Sequence, residues 1–213
     1  MTVYIENLLL CLLIPMLLAA AFLKGAQRRL CLFVITGMAA CLAAAYVSSF
    51  FMGVYEASAL TAALEISPLC EETVKLLPLL FYIAVFEPDR KEVIPAAIGI
   101  AVGFATFENC CYIIENGTED FTFLLIRGIS AGAMHILCGI LTGFGLELVW
   151  RRRWLAAAGT VGVLCLAISL HGIYNLLISA GGVLQGLGYV LPSAGIAAAW
   201  LMRLTLRAKR KTE

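Results

Sequence analysis

Long apolar runs recur along this chain at residues 3–23, 30–52, 57–86, 93–115, 121–150, 154–180 and 187–206, separated by short polar connections. At 1.5 Å per residue, about twenty apolar residues in a helix cross the hydrocarbon core of a bilayer. The pattern therefore predicts an all-α polytopic membrane protein of about seven transmembrane helices. Ala19-Ala20-Ala21 imitates a cleavage site, but no basic segment precedes the first run, which is expected to stay as a helix. No internal repeat or soluble insertion interrupts the pattern, so residues 1–213 are read as a single membrane-embedded helical domain.

The positions of the basic residues give an independent test of the count. Lys24, Arg28 and Arg29 lie in the first connection, Arg90 and Lys91 in the third, and Arg151, Arg152 and Arg153 in the fifth. Arg203, Arg207, Lys209, Arg210 and Lys211 follow at the C-terminal end, while the second, fourth and sixth connections hold no Lys or Arg. In a seven-pass chain all of these fall on one side of the membrane, as the positive-inside rule requires of cytoplasmic loops. The N-terminus is expected outside and the C-terminus in the cytoplasm. Of the 15 Lys and Arg, Lys75 and Arg127 remain, and both lie within spans.

Composition agrees with this class. The 213 residues are 62% hydrophobic with a mean hydropathy of +0.96, against roughly 45–50% apolar residues in a soluble domain. The expected surroundings are a lipid bilayer, with no nucleic-acid partner. The 8 cysteines lie in or beside apolar runs without a CxxC spacing, which reads as buried free thiols and not as a disulfide framework.

Ionisable groups inside spans cost several kcal/mol and mark function or a specific pairing. The third run carries Pro68-Leu69-Cys70-Glu71-Glu72-Thr73-Val74-Lys75. On a helix, Glu71, Glu72 and Lys75 share one face with Glu65, and the proline is expected to start a new helical segment just before them. A buried ion pair that only fixes packing needs one carboxylate; this segment has two. The fourth run carries Phe104-Ala105-Thr106-Phe107-Glu108-Asn109, above a Gly99/Gly103 pair that permits close helix approach. In the fifth, His135 projects from a stripe of Gly128, Gly132, Gly139 and Gly143, while Arg127 is expected to reach the headgroups, Glu119 or Asp120. The sixth sets His171 and Asn175 one turn apart. Counted from the outer ends of their helices, Glu71 and His135 lie roughly 18–21 Å deep, and Glu108 and His171 roughly 10–14 Å. One water-containing cavity can hold them all.

Taken in order, Glu71-Glu72-x-x-Lys75, Phe104-x-x-x-Glu108-Asn109, His135 and His171-x-x-x-Asn175 resemble the PrsW family of intramembrane proteases, a relative of the CAAX-processing endopeptidases. The resemblance covers residues 57–180. Glu108 stands where the CAAX endopeptidases have His, and Lys75 follows the second Glu by three residues and not four, which points to the PrsW branch. It implies proteolysis of membrane-anchored proteins, with anti-sigma factors as the best-known targets, in a bacterial plasma membrane.

The residues suit that chemistry. A carboxylate held partly out of water can act as a general base toward water, and Glu71 is expected to be that base with Glu72 as its partner. By analogy with the related HxxxN motif, His171 and Asn175 would polarise the scissile carbonyl and hold the oxyanion. His135 and Glu108 would orient water or protonate the leaving amine, with Lys75, Phe104 and Asn109 in support. Zinc is the nearest alternative, held by Glu71 or Glu72 with His135 and His171, although no HExxH is present and the metal-free glutamate mechanism is preferred. A cysteine nucleophile at Cys70 or Cys138 is less suited, since thiols in apolar spans are usually inert. Outside the enzymes, a proton-coupled transporter or a scaffold for other membrane helices would also place Glu, Lys and His in spans.

Overall fold

The computed structural model of the protein describes residues 4–117 and 120–212. The described residues form seven helices and no strand. These are α1 (Ile5–Phe22), α2 (Gly25–Val54), α3 (59–86), α4 (Arg90–Asn116), α5 (Phe121–Val149), α6 (Arg153–Ala180) and α7 (Gly182–Thr212). Six of the seven are long and apolar enough to cross a membrane. The exception is α3, because its central stretch holds Glu71, Glu72 and Lys75. Large apolar side chains such as Phe22, Phe50, Phe81, Trp154 and Trp200 are exposed around the outside, as lipid-facing side chains are.

At the centre stands α4, the most buried of the spans, packed most extensively against α2 and α5. Small residues make this possible. A Cβ on Gly37 would lie 2.0 Å from the Ile100 carbonyl oxygen, and one on Gly103 would lie 1.9 Å from that of Val34. Backbone therefore meets backbone where α2 crosses α4, the close approach for which a GxxxG pair is suited. On the other side, the lower part of the α5 glycine stripe seats on α4, since a Cβ on Gly139 would lie 2.8 Å from Ala101 Cβ. Gly103→Ala is expected to push α2 from α4 and destabilise the bundle by about 1–3 kcal/mol or more, read as a fall in unfolding temperature in detergent. Gly132→Ala, on the same stripe but with nothing within 4 Å of the added carbon, should not lower that temperature.

The third helix is continuous through Pro68, where a new segment was expected. It opens at Ala59–Thr61, passes through a π-helical turn at Ala62–Ile66 and continues as α-helix over Ser67–Phe86. The wide turn absorbs the proline. Ser67 N–H bonds to Ala62 O, and Pro68 has no N–H to offer, so Ala63 O loses both of its helical partners. Asn175 Nδ2 on α6 fills the gap, donating to Ala63 O at 2.7 Å. Beside it, Gly172 lets α6 come close, for a Cβ there would lie 3.2 Å from Leu64 O. The helix carrying the two glutamates is thus held in place by the turn that carries His171.

All eight cysteines are free. Cys138 is fully buried and turns its thiol to Met134 Sδ and Ala167 O, away from the imidazole of His135.

Candidate active site

Four helices bring their polar residues to one level of the bundle. Glu72 on α3 is buried and accepts on one oxygen, Oε1, from Lys75 Nζ at 2.6 Å and from His171 Nδ1 at 2.8 Å. Lys75, also buried, reaches His135 Nδ1 at 3.0 Å and lies over the Phe104 ring at 4.8 Å from its centroid. His135 Nε2 meets Glu108 Oε2 at 2.5 Å, and the two imidazoles pack edge to face with centroids 5.2 Å apart. The two depths expected from counting residues collapse into one level, because helices that start at different heights and cross at an angle do not share a ruler.

The adjacent carboxylates of α3 have separate surroundings. Glu72 is paired through Oε1 with a cation and a ring nitrogen. Glu71, one residue earlier and about 100° around the helix, has a buried oxygen, Oε2, with no hydrogen-bond partner, facing His171 Nε2 at 3.8 Å. Glu72 is the partner of His171 Nδ1, and a neutral ring that donates there keeps its lone pair on Nε2, so that Nε2 and Glu71 Oε2 are two acceptors side by side.

Glu71 lines a cavity of about 500 Å³. Small residues of α2, among them Cys41, Ala44, Ala45 and Ser49, make one wall, and Phe104, Phe107 and Cys111 of α4 make another. Glu71 and Glu108 close the inner end, while Glu6, Tyr46 and Glu115 stand near the helix ends on the N-terminal side. Glu6 and Tyr46 are hydrogen-bonded across the α1 and α2 contact.

Arg127 departs from its expected place. It turns inward, donating to Asn109 Oδ1 at 2.8 Å and approaching Glu108 at 3.5 Å, with its guanidinium 3.5 Å above the centre of the Tyr112 ring. A carboxylate in the neighbouring span is a better partner for a membrane arginine than distant headgroups, and that pairing was the available signal. Of the two loop acids considered for it, Glu119 lies outside the described residues and Asp120 caps α5 through Phe123 N at 3.1 Å. The α2 wall had no signal, since alanines carry no chemistry to read.

A family model described as PrsW family intramembrane metalloprotease matches residues 15–202. The chain belongs to the PrsW family. Among curated relatives, a Protease PrsW of Oceanobacillus iheyensis is 30% identical over 82 residues, covering 38% of this chain and 37% of its own length. A Protease PrsW of Bacillus subtilis is 31% identical over 97 residues, covering 44% of this chain and 41% of its own. The chain thus spans about two-fifths of the length of the curated relatives it matches. No solved structure matches. As a PrsW family protein with six long apolar helices, the chain is a multi-pass integral membrane protein, and its bacterial relatives fit a plasma-membrane location.

The family is described as one of metalloproteases, which makes the fit of the donors to a metal ion a property of the site. Glu71, His135 and His171 each place a ligand atom within 4.8 Å of the others. Glu71 Oε2 and His171 Nε2 are free to ligate. His135 is not, because Lys75 occupies one ring nitrogen and Glu108 the other. An ammonium 3.0 Å from a ligand ring also opposes a second cation on that ring. As arranged, the trio does not fit a three-ligand metal site.

Proposed function

We propose that this chain is an intramembrane endopeptidase that hydrolyses a peptide bond of a membrane-anchored, anti-sigma-factor-like protein, using water activated by Glu71. The observation that carries this reading is Glu71, which lines the cavity and holds a buried Oε2 without a hydrogen-bond partner 3.8 Å from His171 Nε2. A water molecule has two hydrogens to give, one to each acceptor, which leaves its oxygen lone pair directed at a substrate carbonyl in the cavity. Glu71 takes a proton as the oxygen bonds to the carbonyl carbon, and that proton passes to the leaving nitrogen when the C–N bond breaks. The site then ends as it began. Glu108, held by His135 and Arg127, orients the substrate chain from the opposite side. Asn175 gives an amide N–H to Ala63 O, which assigns it to positioning α3.

The expected topology, with the N-terminus outside, opens the cavity toward the outer face, since Glu6 and Glu115 stand at that end of their helices. The test is cleavage of a panel of single-pass proteins reconstituted with this chain, with product termini read by mass spectrometry. New termini that form equally with and without chelator are the expected result. Loss with chelator and recovery with zinc would move Glu71, His135 and His171 to metal binding. Proton flux in liposomes without new termini would replace the protease by a transporter.

A further inference from the structure

We propose that Lys75 sets the two histidines of the site in opposite tautomers, making His171 Nε2 a hydrogen-bond acceptor beside the base Glu71 and His135 a dedicated donor to Glu108. An ammonium has three N–H donors and no lone pair, so His135 Nδ1, 3.0 Å from Lys75 Nζ, is the unprotonated nitrogen of its ring. The ring proton is then on Nε2, where it donates to Glu108 Oε2. On the other side of the same ammonium, Glu72 is kept as a carboxylate by its 2.6 Å ion pair with Lys75. That carboxylate accepts from His171 Nδ1–H, which frees Nε2 toward Glu71. A single buried cation therefore sorts two chemically identical side chains into opposite duties.

The sorting rests on burial. His135 and His171 are 1% and 3% exposed and Lys75 is 7% exposed, so water has little access to swap the ring protons. The groups facing His135 from the packed helices are Lys75, Glu108, His171 and the Phe104 ring. Those facing His171 are Glu72, Glu71 and His135. Lys75 is the one cation among them, and it touches both branches. It is a positioning residue, acting on the proposed hydrolysis through the two rings.

The chain holds 2 His, so a protein labelled with ¹⁵N-histidine shows four ring nitrogens, readable by NMR in lipid without any substrate. The expected spectrum has an unprotonated Nδ1 and protonated Nε2 for His135, and the reverse for His171. A shared tautomer in the wild type would overturn the proposal. Equimolar zinc should leave the His135 nitrogens unshifted, and a zinc-induced shift at His135 Nε2 would overturn it too. In cleavage assays Lys75→Met should lower kcat on the order of 10²–10⁴-fold, with Lys75→Arg, which keeps N–H donors, recovering part of the loss. A Lys75→Arg variant that keeps the wild-type fold and the wild-type ring spectrum, yet shows no recovery over Lys75→Met, would exclude this role. This inference rests on the protease reading for its purpose but not for its readout. A wild type with the expected tautomers and no cleavage would fail the protease alone, and a cleaving protein with a shared tautomer would fail the sorting alone.

Discussion

Glu71→Gln is expected to remove cleavage, lowering the rate by about 10²–10⁴-fold, while the unfolding temperature stays at the wild-type value. The substitution keeps the volume and shape of the side chain and takes away its capacity to accept a proton. Stability should not change, because Oε2 has no hydrogen-bond partner within the fold to lose. Affinity for an uncleaved substrate should also persist, since the cavity wall is unaltered. The decisive measurement is single-turnover cleavage of a reconstituted single-pass substrate beside a thermal unfolding curve of the same preparation. A Gln variant with wild-type turnover removes Glu71 from the chemistry.

Glu72→Ala, one residue further on, is expected to act on the fold. It strips the counter-ion from Lys75, which is 7% exposed and has no other carboxylate within ion-pair distance among the described residues. Breaking one half of a buried pair leaves an uncompensated charge and costs about 3–5 kcal/mol. The same change removes the acceptor that holds His171 Nδ1, so any residual folded protein should also be slow. Unfolding monitored in detergent, with Glu72→Gln as an intermediate case that still accepts a hydrogen bond, tests the size of the effect. An unfolding temperature for Glu72→Ala equal to wild type would mean that the ion pair does not hold the bundle. Together the two adjacent glutamates should separate cleanly, one lost from catalysis and the other from stability.

This division bears on the non-enzymatic readings. A proton relay in a transporter needs a chain of groups that can pass a proton across the membrane. Here the polar chain runs from Arg127 through Glu108, His135, Lys75 and Glu72 to His171, and its long step along the bundle, from Arg127 to His135 on α5, is about 12 Å, well short of the roughly 30 Å hydrocarbon core. A scaffold has no use for an orphaned carboxylate oxygen at the end of a cavity. Membership of a protease family and a polar chain too short to cross the bilayer both favour hydrolysis over transport.

Much of the molecule was legible without coordinates. The seven apolar runs locate the seven helices, with ends that differ by up to six residues, because membrane-spanning helices need a minimum apolar length and so announce themselves. The order Glu71, Glu72, Lys75, Glu108, His135, His171 and Asn175 was enough to suggest the family, since each is a costly residue at bilayer depth. Gly99/Gly103 and the α5 stripe pointed to close packing. All of these are local properties of composition and spacing, and a one-dimensional pattern carries them in full.

What the tertiary structure alone decided was which neighbour each of those groups meets. Glu71 and Glu72 are chemically the same and adjacent, and only the docking of α6 and the placement of Lys75 pair one with a cation and leave an oxygen of the other without a partner. The loss of helical partners at Ala63 follows from Pro68, yet that Asn175 would supply the missing donor from 112 residues away depends on how α6 seats against the π turn. The alanines of α2 became a cavity wall only through the backbone contact at Gly37 and Gly103. A sequence states what each helix can offer; which donor faces which acceptor is set by crossing angle and rotation, to which hydropathy and spacing are blind.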